Sequence, residues 1–196
     1  MSISTPENSG QWYLRLPNAL TWLRILMIPG IFALFYLPYW WKDPATCAAF
    51  ALAGITDSLD GYLARILRSR TLLGAYLDPL ADKALLTSVY VSMGYVEEMP
   101  KWLVILVVFR DVLIVGGAIL YQTLTQRLKM EPLFISKVNT TAQIALAALI
   151  LAQRGLGFDS HGIDLALIYA VAATTLISGG AYVVRWGWRI AHIEAP

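Results

Sequence analysis

The run Trp102-Leu-Val-Ile-Leu-Val-Val-Phe-Arg110-Asp111-Val-Leu-Ile-Val-Gly-Gly-Ala-Ile-Leu-Tyr-Gln-Thr-Leu124 is apolar almost throughout, and its only charges are one adjacent pair of opposite sign. A helix needs about 20 mostly apolar residues to cross the hydrocarbon of a bilayer. A membrane barrel strand would instead alternate apolar and polar residues over about ten positions. This run is continuous, so it reads as a spanning helix. Similar runs lie on either side of it. They cover about Ala19–Trp41, interrupted by Pro29-Gly30; about Ala45–Ile66; about Asp78–Val96, closed by Glu97-Glu98-Met99-Pro100-Lys101; about Phe134–Gln153; and about Ile163–Trp188. The expected fold is an all-α integral membrane protein, a bundle of six transmembrane helices forming a single domain over residues 1–196. Trp12, Tyr13, Leu14 and Leu16 flank Arg15, so residues 1–17 are expected to include a short interfacial helix.

Composition agrees with this reading. Of the 196 residues, 58% are hydrophobic and 14% charged, against roughly 45–50% and about 25% in average soluble domains. That excludes a disordered chain or a disulfide scaffold and argues against a soluble enzyme. The net charge of +2 gives no reason to expect nucleic acid as a partner. The lone cysteine, Cys47, sits in an apolar stretch and reads as a packed thiol. Before the first span the only charges are Glu7 and Arg15, too few arginines for a mitochondrial transit peptide, and no small-residue cleavage site follows. A retained first helix is expected.

Charge placement sets the orientation. With the N-terminus inside, the inner ends carry Arg15, Arg24, Arg65, Arg68, Arg70, Arg127, Lys129, Lys137, Arg185 and Arg189. The outer loops carry Lys42, Lys101 and Arg154, with Glu97 and Glu98. Both termini and the turn after Arg65 are therefore expected on the cytoplasmic side. Trp40, Trp41, Trp102, Trp186 and Trp188 fall at span ends and read as interfacial anchors.

The second and third spans contain Asp57, Asp60, Asp78 and Asp82. A carboxylate near the bilayer centre costs roughly 2.5–3.5 kcal/mol on insertion scales, so intramembrane acids mark function. Asp57 and Asp60 are spaced i,i+3 and Asp78 and Asp82 i,i+4, so each pair shares a helix face. A short turn joins the two helices, which brings the carboxylates to one end of the hairpin. Such a cluster of like charges must be protonated, paired or metal-bound. Oxygen ligands without His or Cys select hard cations such as Mg²⁺, Mn²⁺ or Ca²⁺, and the charge suits two divalent ions. Gly61, Ala64 and Gly74 leave room beside the acids, and Arg65 can meet an anion that the metals also hold. Helix packing and Asp–Arg pairing are the plainer alternatives. The combination points to phosphoryl-group transfer at a membrane surface. A cation-coupled transporter is the competing class, but no paired broken helices appear in the second half.

The string Asp57-x-x-Asp60-Gly61-x-x-Ala64-Arg65, then Gly74, Asp78 and Asp82, resembles the signature of the CDP-alcohol phosphatidyltransferase family. The resemblance implies transfer of the phosphatidyl group of CDP-diacylglycerol to an alcohol, with CMP released. It implies that Asp57, Asp60 and Asp78 hold the metal, Mg²⁺ or Mn²⁺ and two ions. Asp82 is implied as general base that also touches a metal, and Pro17, Asn18, Gly61, Arg65 and Thr71 as contacts to CDP-diacylglycerol. A plain helix cap explains Asn18 equally well.

Phe50-Ala-Leu-Ala-Gly-Ile-Thr-Asp57, Leu77-Asp-Pro-Leu-Ala-Asp-Lys83, Arg110-Asp111 and Pro132-Leu-Phe-Ile-Ser-Lys-Val-Asn-Thr140 resemble the eukaryotic-type cardiolipin synthases within the family. These take phosphatidylglycerol as acceptor. Phosphatidylglycerophosphate synthases, which take glycerol 3-phosphate, share parts of these stretches. They typically carry a second Arg two turns after the fourth-span Arg, where this chain has Gly116, Gly117 and Ala118. A phosphodiester with one charge suits the smaller number of cations. Arg110 and Lys137 are expected at the acceptor phosphate, with ion pairing as the alternative, and Asp111 is expected to be structural. The family implies a homodimer, for which Gly116-Gly117 or Gly179-Gly180 would allow close helix contact. Location in a bacterial cytoplasmic membrane is expected, with the mitochondrial inner membrane as alternative.

Overall fold

The computed structural model describes residues 11–66, 72–125 and 133–191, with side chains at 23, 25–57, 80–119, 123 and 133–188. They form six helices: α1 (Gln11–Tyr36), α2 (Lys42–Ile66), α3 (Leu72–Tyr95), α4 (Lys101–Thr125), α5 (Phe134–Leu156) and α6 (Ile163–Ala191). Among the described residues, Lys101–Ile119, Phe134–Leu156 and Ile163–Trp188 are long and apolar enough to cross a membrane, with mean hydropathies of 2.3, 1.4 and 1.7. Ile25–Tyr36 is a shorter apolar stretch.

Three boundaries differ from expectation. The first helix does not break at Pro29-Gly30 and stops at Tyr36 instead of Trp41. A proline inside an apolar helix is tolerated when neighbours satisfy the freed carbonyl. The stop comes where Pro38 disfavours helical backbone at Leu37. Residues 11–17, expected in a separate interfacial helix, are the first turns of α1. Residues 1–10 lie outside the described residues. The third helix begins at Leu72 rather than Asp78, so both of its aspartates lie inside regular helix.

The chain divides into two compact units, with the boundary inside α3 after Val89. The first holds α1, α2, the start of α3 and residues 154–156. Here α1 lies along α2, and Ile31, Phe35 and Ala53 are buried. Arg154 pairs with Asp43 at 3.2 Å, which ties residues 154–156 to the start of α2 within this unit. A Cβ on Gly155 would lie 2.8 Å from the Cβ of Cys47, so only glycine fits at 155. Cys47 is half-buried there.

The second unit holds the end of α3 with α4, most of α5, and α6. Its core is Tyr90, Met93, Met99, Leu103, Val107, Leu146, Leu151 and Val171. The α3–α4 turn reverses tightly. Glu97 adopts φ 64°, and the Glu98 and Met99 amides donate to the Met93 carbonyl at 2.9 and 3.3 Å. Gly157, at φ 71°, ends α5 by donating its N–H to the Gln153 carbonyl, the left-handed cap that glycine supplies without a Cβ clash. Ile105, Phe109 and Val112 recur on one face of α4 and are 64–68% exposed. Bare apolar stripes of this kind suit a lipid surround and not water.

Trp186 departs from its expected role. Its ring lies across α4 so closely that a Cβ on Gly117 would sit 1.8 Å from the indole. It is a helix-packing residue more than an interfacial anchor. Trp40, between α1 and α2, is 90% exposed, and Trp102, at the start of α4, is 49% exposed. Of the glycines expected at helix contacts, Gly117 is taken up by Trp186, and Gly179 has the Arg110 stem 3.6 Å from the site of a Cβ. Gly116 and Gly180 face open space.

Gly117→Ala should therefore force the indole out and destabilise the protein by about 1–3 kcal/mol, as overpacking does. Gly180→Ala should change stability by less than about 0.5 kcal/mol. Thermal unfolding in detergent, both variants side by side, checks the contrast.

Candidate functional site

Two polar regions stand out in these apolar helices. The first is the acidic hairpin. Helix α2 carries Asp57, Asp60, Gly61 and Arg65, and α3 carries Asp78 and Asp82. At about 1.5 Å of rise per residue, Asp60 and Asp78 each lie about 9 Å along their helices from the α2–α3 connection. Asp57 and Asp82 lie about 14 Å and about 15 Å from it by the same rise. The helical register thus puts the acids in two layers of matching depth.

The Asp57 and Asp82 side chains are half-buried. Asp60, Gly61, Arg65 and Asp78, with Pro17 and Asn18 in α1, are placed on their helices, but their side chains lie outside the described set. Thr71 lies wholly outside the described residues. Among the described residues no group of three metal-capable side chains occurs, and two of the expected ligands are not among those side chains. The donor chemistry fits a hard divalent cation: every candidate ligand is a carboxylate, and those described are half-buried, where a bare charge is disfavoured.

The second region is a polar seam through the second unit. Arg110 is 3% exposed. Its Nη1 donates to Asp111 Oδ1 at 2.7 Å, and its Nη2 donates to Ser136 Oγ at 2.7 Å and to Ser178 Oγ. One side chain thereby joins α4, α5 and α6. The Asn139 carbonyl oxygen accepts from Thr174 and Thr175 hydroxyls at 2.8 and 2.9 Å. Tyr90 Oη donates to the Gln143 main-chain carbonyl at 3.0 Å. The Gln143 amide is fully buried without a hydrogen-bond partner among the described residues, as are Arg110 Nε and Asn139 Nδ2.

Both terminal nitrogens of Arg110 meet protein partners, Asp111 on one side and the Ser136 and Ser178 hydroxyls on the other, the arrangement that the ion-pairing alternative describes. A buried cation in an apolar bundle must find its counter-charge close by, and the adjacent Asp111 supplies it. Lys137, the residue directly after Ser136, is exposed. The seam itself was not anticipated, though its signal is in the sequence. Ser136, Asn139 and Gln143 recur at i, i+3, i+7 on α5, and Thr175, Ser178 and Tyr182 do the same on α6.

Among the described residues, three helices are long and apolar enough to cross a membrane, and two others, α2 and α3, carry acids spaced to share a helix face. Comparison with known proteins gives the family. The sequence profile described as CDP-alcohol phosphatidyltransferase matches residues 14–177. The chain belongs to the CDP-alcohol phosphatidyltransferase family. It is 37% identical over 196 residues to human cardiolipin synthase (CMP-forming), covering 91% of this chain and 63% of that protein. It is 35% identical over 184 residues to a Schizosaccharomyces pombe cardiolipin synthase (CMP-forming)/mitochondrial hydrolase fusion protein, covering 86% of this chain and 30% of that one. It is 34% identical over 167 residues to the CDP-diacylglycerol–glycerol-3-phosphate 3-phosphatidyltransferase of Salmonella choleraesuis, covering 83% of this chain and 90% of that enzyme. The chain thus spans less than two thirds of the human and yeast proteins and most of the bacterial one.

Asp111→Ala removes the carboxylate beside Arg110 and leaves its buried charge uncompensated. It should destabilise the protein by about 3–5 kcal/mol, whereas Ser178→Ala should cost about 1–3 kcal/mol. Denaturant midpoints in one detergent would show whether this order holds.

Proposed function

We propose that this chain is a cardiolipin synthase, transferring the phosphatidyl group of CDP-diacylglycerol to phosphatidylglycerol with release of CMP. The observation that carries the chemistry is the register of Asp57, Asp60, Asp78 and Asp82 in two layers of α2 and α3, within a chain of this family. All six helices are read as spans, with the acidic hairpin's connection and both termini at the cytoplasmic face. The membrane is read as a bacterial cytoplasmic one, the mitochondrial inner membrane being the alternative.

Asp57, Asp60 and Asp78 would hold divalent Mg²⁺ or Mn²⁺, two ions by charge, with Asp82 touching one of them. Bound there, the metal neutralises charge on the pyrophosphate and on departing CMP. Pro17, Asn18, Gly61, Arg65 and Thr71 bind the CDP portion. Asp82 accepts the proton of the acceptor hydroxyl as its oxygen attacks the diacylglycerol-side phosphorus. A new P–O bond forms to the glycerol oxygen, and the P–O bond to CMP breaks. Lys137, exposed near the start of α5, binds the acceptor's phosphodiester.

The acceptor assignment leans on α4. Two turns beyond Arg110 stand Gly116, Gly117 and Ala118, and the Trp186 ring covers Gly117. An apolar ring where a cation could stand suits a lipid phosphodiester better than a dianionic phosphate monoester. Glycerol 3-phosphate remains the second reading, favoured by the 90% coverage of the Salmonella relative. The family's usual dimer is read as using Gly116 or Gly180, which are open.

The test is direct. Purified protein receives CDP-diacylglycerol with phosphatidylglycerol or glycerol 3-phosphate, and lipid products are read by mass spectrometry. Cardiolipin should form, EDTA should abolish it, and Mg²⁺ or Mn²⁺ should restore it. Asp82→Asn should lower the rate by about 100-fold or more, as loss of a general base does. Phosphatidylglycerophosphate as sole product would sink the acceptor assignment.

A further inference from the structure

The start of α5 has no capping side chain of its own. Its N-cap residue is Leu133, in extended backbone, and no side chain there accepts from the first turn. Other helices hold it instead. The Leu133 N–H donates to Tyr182 Oη of α6 at 3.3 Å. Three residues on, Ser136 Oγ accepts from Arg110 Nη2 of α4 at 2.7 Å. Both anchoring side chains are buried and fixed in turn. The Tyr182 ring packs on Trp186 with centroids 5.4 Å apart, and the indole is seated on Gly117. Arg110 is fixed by Asp111 and Ser178.

Lys137 follows Ser136 directly and is exposed. Its four-carbon stem is flexible, so what the fold controls is the position from which the stem starts. We propose that Tyr182 and Arg110 form a two-point clamp on the first turn of α5, making them positioning residues for Lys137. The inference rests on the reading of Lys137 as the acceptor-phosphate contact. It gives Arg110 a role at the acceptor site that needs no contact with the acceptor. A displacement of about 1 Å at a positioning group is enough to cost a large factor in turnover.

The clamp predicts an effect confined to one substrate. Tyr182→Phe removes the oxygen that accepts from Leu133, and Ser136→Ala removes the oxygen that accepts from Arg110, while Asp111 and Ser178 still satisfy the guanidinium. The full chain is assayed in mixed micelles of CDP-diacylglycerol and phosphatidylglycerol, after thermal unfolding has established that each variant is folded. The double variant should raise the KM for phosphatidylglycerol about tenfold, and Tyr182→Phe alone about threefold, with the KM for CDP-diacylglycerol within about twofold. Lys137→Ala should also raise the acceptor KM. Adding the double substitution to it should then contribute less than about twofold, because residues acting through one another are not additive.

Equal rises for both substrates, or full multiplication with Lys137→Ala, would overturn the clamp. So would an unchanged acceptor KM in the double variant while Lys137→Ala still raises it; the reading of Lys137 would then survive alone. If Lys137→Ala itself leaves the acceptor KM unchanged, that reading falls and takes the clamp with it.

Discussion

A guanidinium cannot be left unpaired among apolar helices, and much of the second unit is organised by that constraint. Removing one partner from a buried ion pair costs about 3–5 kcal/mol, so the counter-charge has to be local and permanent. Asp111 provides it from the next position on the same helix, 2.7 Å away. The remaining donors then reach α5 and α6 through hydroxyls of Ser136 and Ser178. Arg110 thereby fixes three helices at one point, in an environment where lipid gives apolar side chains little reason to cluster. The Asn139 bonds to Thr174 and Thr175 repeat the same solution one turn along.

The first unit handles charge differently. Its acids on α2 and α3 repeat one sign on two helices, at matching depth from one connection. An arrangement of this kind raises a demand for cations, and it suits a site that must attract a metal together with the phosphates the metal carries. The two units thus divide the work of burying polar groups. One neutralises its charges internally for architecture. The other sets acids of one sign at matching depth on two helices.

Much of this was legible from the residues. The limits of α4, α5 and α6 follow from continuous apolar runs with proline, glycine and charge at their ends. The acidic pairs were visible from spacing alone. What escaped has a physical explanation in each case. Pro29 looked like a break because proline removes a helix donor, yet in α1 the stop was imposed further on, by Pro38. The helical stretch before Asp78 was masked by the basic turn that precedes it. Trp186 had the composition and position of an interfacial anchor, and nothing local revealed that Gly117 would receive it. Arg110 was readable as a ligand contact or as an ion pair. Nothing local revealed that Ser136 and Ser178, far apart in sequence, converge on it.

The seating of Trp186 on Gly117 couples two positions that belong to different helices. Neither can drift independently. A side chain at 117 requires a smaller residue at 186, and a smaller residue at 186 opens a slot that 117 must fill. In relatives that place a bulkier residue on the fourth helix, position 186 should therefore have lost its indole, and the tyrosine one turn earlier should have lost its ring support. Separating the pair takes two coordinated changes and passes through a state that is either overfilled or hollow.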